Sequence, residues 1–243
     1  LKQKMMRRRL TNLRRSINRF YSVSLPSTTY VTKSKSQKQF VFDQTQLEVL
    51  QRYFDPFYEQ VINSKGGDKK GIYIYGPPGS GKTMMMDECL FPLFKARVER
   101  THFQKFMQGV HAKHHELKQK TPKDDVMPLL IDDIAKRVDV FCFDEFYVTD
   151  IADAMVLKRM FSGLFKAGVY IIMTSNRPPN TLYKGGINRE LFLPFLDDLE
   201  KYCSIIEMPS TSTDYRTMNS FTSSALPLFQ VKNDSEAFTK KKQ

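Results

Sequence analysis

A glycine-rich loop set between an apolar run and a helical run constrains this chain more than any other stretch. Gly76, Pro77, Pro78, Gly79, Ser80, Gly81, Lys82 and Thr83 spell G-x-x-x-x-G-K-T, the phosphate-binding loop pattern. Ile72-Tyr73-Ile74-Tyr75 ahead of it is a strand candidate, and Thr83-Met84-Met85-Met86 begins a helical run after it. The pattern requires that strand–loop–helix context. Glycines let backbone N–H groups approach an anion that a Cβ would keep away, and a helix N-terminus points its dipole at the same place. In this role 76–83 bind nucleotide phosphates. Lys82 sets a point charge against the outer phosphates, and Thr83 supplies a hydroxyl to Mg2+. A ligand-free glycine turn is the alternative, but it leaves the acidic strand downstream without a reason.

That strand is Val140-Phe141-Cys142-Phe143, apolar throughout and ending in Asp144 and Glu145. Asp144 is expected to hold Mg2+ directly or through water. Glu145 is expected to orient and deprotonate the attacking water as general base. Helix capping is the other use of acids at a strand end. Thr174-Ser175-Asn176 closes a fourth strand, and ligands of open parallel sheets lie beyond such carboxyl ends. In P-loop ATPases of the ASCE class, which add a strand between the loop strand and the acidic strand, a polar residue here contacts the γ-phosphate or the water. Asn176 is therefore the sensor candidate, against a plain turn residue before Pro178-Pro179. Arg189, beyond Gly185-Gly186, is the candidate arginine finger reaching a neighbouring subunit's nucleotide. Arg177 is its competitor, and a surface ion pair is the alternative for either.

Periodicity places these residues on an α/β frame. A helical stretch runs over 42–61, with Leu47, Leu50, Phe54, Phe57 and Val61 at helical spacing. Helices follow over 81–95, to about 118, over 126–137, 150–166 (ended by Gly168) and 187–201. Strands are expected at 72–75, 101–103, 138–143, 169–174 and 203–208. Strands alternating with helices imply a parallel five-stranded sheet sandwiched by helices.

The formal charge of +12 has to be located before it means anything. Residues 1–42 hold eleven Lys or Arg and no Asp or Glu, and 240–242 add three more basic residues. Between 43 and 239 stand 24 basic and 26 acidic residues, so the body carries no basic nucleic-acid surface by charge. The leading segment reads as a mitochondrial transit peptide over 1–21, rich in Arg and Ser and lacking acids. Leu10, Leu13, Ile17 and Phe20 make one face of a basic amphipathic helix, and Arg19-Phe20-Tyr21-Ser22 resembles a matrix-protease site. A basic arm for nucleic acid or lipid is the other reading of that segment. Residues 22–42 then serve as a linker. No run approaches a membrane span in length. Cys89, Cys142 and Cys203 lack metal-ligand spacing, and Cys142 reads as a small buried hydrophobe. His111 and His115 have an i,i+4 spacing that could hold zinc, but no third ligand is evident and a packed or solvated helix face is the expectation.

Several stretches together resemble one family, the ATPase family gene one-like AAA+ proteins, also called lactation-elevated ATPases, to which bacterial ZapE is related. They are 71–87 (GIYIYGPPGSGKTMMMD), 102–111 (HFQKFMQGVH), 141–165 (FCFDEFYVTDIADAMVLKRMFSGLF), 174–183 (TSNRPPNTLY), 187–195 (INRELFLPF) and Asp214-Tyr215-Arg216. The resemblance implies an AAA+ P-loop ATPase domain over 43–216, using ATP and Mg2+ and assembling as a homo-oligomeric ring in the mitochondrion. It implies protein clients, among them respiratory subunits of the inner membrane, with which peripheral association stays open. By matched position it gives 76–83 to nucleotide, Asp144 and Glu145 to Mg2+ and water, Asn176 to sensing and Arg189 to the finger. Tyr147 and Gln104 stand where the family usually has Gln and His. Members continue past the Asp-Tyr-Arg motif into a helical lid. Here 217–243 is expected to be a lid remnant or tail, with the lid truncated or absent. A nucleotide-regulated binding module with little hydrolysis, and a nucleic-acid-dependent ATPase of helicase-loader type, are the rival readings.

Overall fold

The computed structural model describes residues 25, 27, 42–63, 69–87 and 97–208. The expected transit peptide over 1–21, nearly all of the linker, Cys89, the Asp214-Tyr215-Arg216 motif and the lid remnant lie outside the described residues.

Five parallel strands carry their carboxyl ends to one edge of a single sheet. They are β1 (Gly71–Tyr75), β2 (Val98–His102), β3 (Val140–Asp144), β4 (Tyr170–Ser175) and β5 (Cys203–Glu207), in the order β2-β3-β4-β1-β5. β4 sits between the loop strand β1 and the acidic strand β3, pairing with both in parallel. This is the added strand expected of the ASCE class. The three central strands are buried along almost their whole length. Strands covered on both faces have no use for polar alternation, which is why GIYIY, VFCFD and YIIMTS read as continuous apolar runs.

The pleat divides these strands between two cores. Phe141 and Phe143 point to one face, where α4 (Phe103–Lys120), α5 (Met127–Arg137), α6 (Ile151–Lys166) and α7 (Leu193–Tyr202) pack. Aromatic edges meet there, with Phe141 and Phe143 ring centroids 4.4 Å apart and Phe106 and Phe143 4.8 Å apart. Such pairs contribute about 0.5–1.5 kcal/mol beyond area burial. Val140 and Cys142 point to the other face with Ile72, Ile74 and Ile172. That face is covered by α1 (Gln44–Val49), a π-helical turn (Leu50–Phe54), α2 (Asp55–Asn63) and α3 (Lys82–Met85), the short helix after the glycine loop.

Local chemistry sets the helix ends. Asp43 caps α1 in a reciprocal box with Gln46, and Asp150 caps α6 by accepting from Ala152 N–H. Gly168 turns the chain out of α6 at φ 84°. The helix expected over 187–201 is shorter than its pattern. The chain makes a 3-10 turn over Arg189–Leu191 after a left-handed Asn188, and α7 starts only at Leu193, with a proline in its first turn. Arg189 therefore stands on that turn rather than on the helix. The strand expected at 101–103 begins earlier, at Val98. No helix among the described residues is long and apolar enough to cross a membrane.

Candidate nucleotide site

The glycine loop leaves β1 at Gly76 and enters α3 at Lys82. A Cβ on Gly76 would lie 2.6 Å from the Met208 carbonyl oxygen, so only glycine lets the loop pass the end of β5. Gly79 and Gly81 adopt φ 83° and 85°, the left-handed turns that coil the loop back on itself. Lys82 is buried, and its ammonium donates to the carbonyls of Gly76 (2.9 Å) and Pro77 (2.8 Å) and to Ser80 Oγ (3.3 Å). The loop thus closes around its own cation.

Strand parity assembles the rest. In the β2–β3 register His102 faces Asp144 and Arg100 faces Cys142. Arg100, Cys142 and Asp144 therefore share the sheet face beneath α3. Thr174 on β4 lies on that face too, two residues beyond Ile172. The outcome is a knot around one buried carboxylate. Asp144 Oδ1 accepts from the hydroxyls of Thr83 (3.0 Å) and Thr174, while Oδ2 pairs with Arg100 Nη2 at 2.8 Å. Arg100 Nε in turn meets Asp87 Oδ1 at 2.8 Å, just beyond α3. Glu145 follows at φ 53°, an uncommon conformation for a residue with a side chain. Its N–H donates to Asp144 Oδ1 and Thr174 Oγ1, both at 3.2 Å, and its side chain is exposed.

The structure brings Thr83, Asp144 and Glu145 together. A hydroxyl and a carboxylate converging at 3.0 Å form a hard-oxygen donor pair that suits Mg2+. Asn176 lies just past the end of β4 with its side chain exposed. Arg177 is exposed as well, and its carbonyl accepts from the buried Tyr73 hydroxyl at 2.8 Å. Burial raises the pKa of that phenol, so it stays a donor. Arg189 turns back on its own chain, donating to the carbonyls of Leu182 and, at 2.8 Å, Asn180. Ile187, Leu191 and Leu193 around it are exposed.

Three contributors escaped the sequence reading. Gln46 is fully buried on α1, and its amide donates to the Ser80 carbonyl at 3.3 Å. Thr174 rather than Asn176 reaches Asp144. Arg100 lies outside the strand expected at 101–103, and only the observed β2 places it in register with Cys142. His111 bonds Asp153 Oδ1 at 2.7 Å across α4 and α6, and His115 bonds Gln119 at 2.9 Å. Each of these contacts is made through the histidine Nε2. Cys142 is buried, and desolvation pushes its thiol up to about 12. Gln104 and Tyr147, the two positions that depart from the resembled family, touch each other: Gln104 Nε2 donates to the Tyr147 carbonyl at 3.2 Å.

Comparison with known proteins agrees with this geometry. The family model for AFG1-like ATPases matches residues 21–241. Lactation elevated protein 1 homolog B of Danio rerio is 45% identical over 168 residues, covering 65% of this chain and 33% of that protein. Cell division protein ZapE of Escherichia coli K12 is 38% identical over 147 residues, covering 60% of this chain and 38% of that protein. The chain thus matches about a third of the length of these curated relatives. AMPPCP-bound DnaA from Aquifex aeolicus superposes with a TM-score of 0.51 at 19% identity, over 74% of this chain and 52% of that one. That likeness concerns the fold, which is that of a P-loop NTPase. With a matched model spanning nearly all of its length, the chain belongs to the AFG1-like ATPase family.

Proposed function

We propose that this chain binds ATP with Mg2+ and hydrolyses it. The observation that carries the reading is the junction of Thr83 with Asp144 beside Glu145, at the carboxyl ends of β1 and β3. Residues 76–83 bind the phosphates through backbone N–H groups, and the Lys82 ammonium leaves the loop carbonyls for the outer phosphates. Thr83 and Asp144 hold Mg2+, which when bound neutralises the charge that develops on the phosphates. Glu145, exposed at the strand end, orients a water and takes its proton. Asn176 is proposed to sense the γ-phosphate from the end of β4.

The same reading extends to assembly and role. Ring formation is supported by the exposed Ile187, Leu191 and Leu193 that flank Arg189. In a ring, Arg189 would exchange the Leu182 and Asn180 carbonyls for a neighbour's nucleotide. Action on protein clients in mitochondria, in quality control of inner-membrane respiratory subunits, is proposed from family membership together with the basic, acid-free 1–42.

Glu145→Gln tests the assignment. It keeps ATP binding and abolishes turnover, whereas Lys82→Ala loses both. Undiminished turnover in Glu145→Gln removes Glu145 from the role of base. Tight ATP binding with no turnover in the unmodified chain puts the nucleotide-regulated binding module in its place.

A further inference from the structure

We propose that Arg100 is a positioning residue that sets how strongly Mg2+ and nucleotide bind together. This rests on Asp144 and 76–83 forming the Mg2+–nucleotide site. Asp144 is held at both oxygens: Thr83 and Thr174 donate to Oδ1, and Arg100 Nη2 pairs with Oδ2 at 2.8 Å. Two hydroxyls already fix the orientation of the carboxylate. What Arg100 adds is a full positive charge, against a side chain only 7% exposed, where solvent screens little. A divalent cation approaching Asp144 must share it with that guanidinium. Arg100 therefore weakens cation capture and keeps the Mg2+–nucleotide complex releasable.

Asp87 gives the arrangement its adjustment. Its carboxylate meets Arg100 Nε at 2.8 Å, so the guanidinium divides its charge between Asp144 and the segment that follows the glycine loop. A shift of α3 relative to β2 changes that division. In this way the loop's position is communicated to the metal site through one side chain, without a contact to the nucleotide itself.

The experiment measures the affinity of a fluorescent ADP for the full chain, once in EDTA and once in MgCl2. The ratio of the two affinities is the coupling. Arg100→Gln is expected to raise that ratio about tenfold, within the usual range of site–site couplings. Arg100→Lys, which keeps the charge, is expected to hold the ratio near that of the unmodified chain. Asp87→Asn moves it the other way, because more of the guanidinium's charge falls on Asp144. It also decides the matter should Arg100→Gln fail to fold. Equal loss of affinity with and without Mg2+ in Arg100→Gln, or an unchanged ratio in Asp87→Asn, overturns the proposal. A ratio of one in the unmodified chain overturns the underlying site reading as well, so the two failures are told apart.

Discussion

The Thr174 hydroxyl bridges two consecutive acids: it donates to Asp144 Oδ1 and accepts from the Glu145 N–H at 3.2 Å. One buried side chain on β4 thereby fixes the carboxylate assigned to the metal and the backbone that presents the assigned base. The left-handed φ of 53° at Glu145 is held by this bridge. Strain of that kind persists where surrounding bonds over-determine it.

Thr174→Val removes the bridge with little change of volume. A hydrogen bond to a charged group contributes about 1.5–3 kcal/mol. If that contribution is made in the transition state, turnover falls about 10- to 100-fold. Steady-state ATPase assays beside thermal melts check it. A melt lowered without a fall in turnover shows that Thr174 serves only the fold.

Gln46 ties α1 to the glycine loop through the Ser80 carbonyl, and its side-chain oxygen accepts the Asp43 N–H at 3.1 Å. Gln46→Ala breaks both contacts and opens space beside Gly81. Unfolding free energy is expected to drop by about 1–3 kcal/mol, and nucleotide affinity about tenfold, the equivalent of one lost hydrogen bond. Equilibrium denaturation and ADP titration read the two effects separately.

Gly163 lets α6 approach α5. A Cβ there would lie 2.3 Å from Ile131 Cδ1, 3.1 Å from Cγ1 and 3.2 Å from Cγ2, so both branches of the isoleucine stand in its way. Gly163→Ala gains about 1 kcal/mol of helix propensity but overpacks by about 1–3 kcal/mol. The net result is a loss of stability. A cycle with Ile131→Ala is expected to show favourable coupling between the two changes, measured by urea unfolding.

Burial pushes the Cys142 thiol up to about 12 and raises that of Cys203 as well. A raised pKa in the folded state means the protonated form favours folding. The contribution is complete below the unfolded-state value near 9 and is lost as pH rises toward the folded value. Stability should therefore fall as pH rises above 9, with each buried thiol adding to the slope. Denaturation midpoints from pH 7 to 10.5 test this, and Cys142→Ala should flatten the slope.

The loop over 76–83, the acidic strand and the alternation of strands and helices were legible because each depends on local chemistry. Glycines serve conformations, apolar runs serve burial on two faces, and acids at a strand end mark chemistry. Arg100 and Gln46 were not legible. Each acts across dozens of residues, through a register and a helix placement that no local pattern encodes. The helix expected over 187–201 forms only from Leu193 onward, for a related reason. Ile187 and Leu191 have the i,i+4 spacing of one helix face, yet the chain exposes both and turns at Asn188.

The sequence by itself determined the phosphate loop, the pair Asp144 and Glu145, and the parallel five-stranded class, since these rest on spacing along a few residues. Only the tertiary structure decided which partners surround Asp144. Pleat parity and strand order place Arg100 and Thr174 on the face over which the helix after the glycine loop sets Thr83, and whether a side chain meets a carboxylate depends on that face and register, not on its neighbours in the chain.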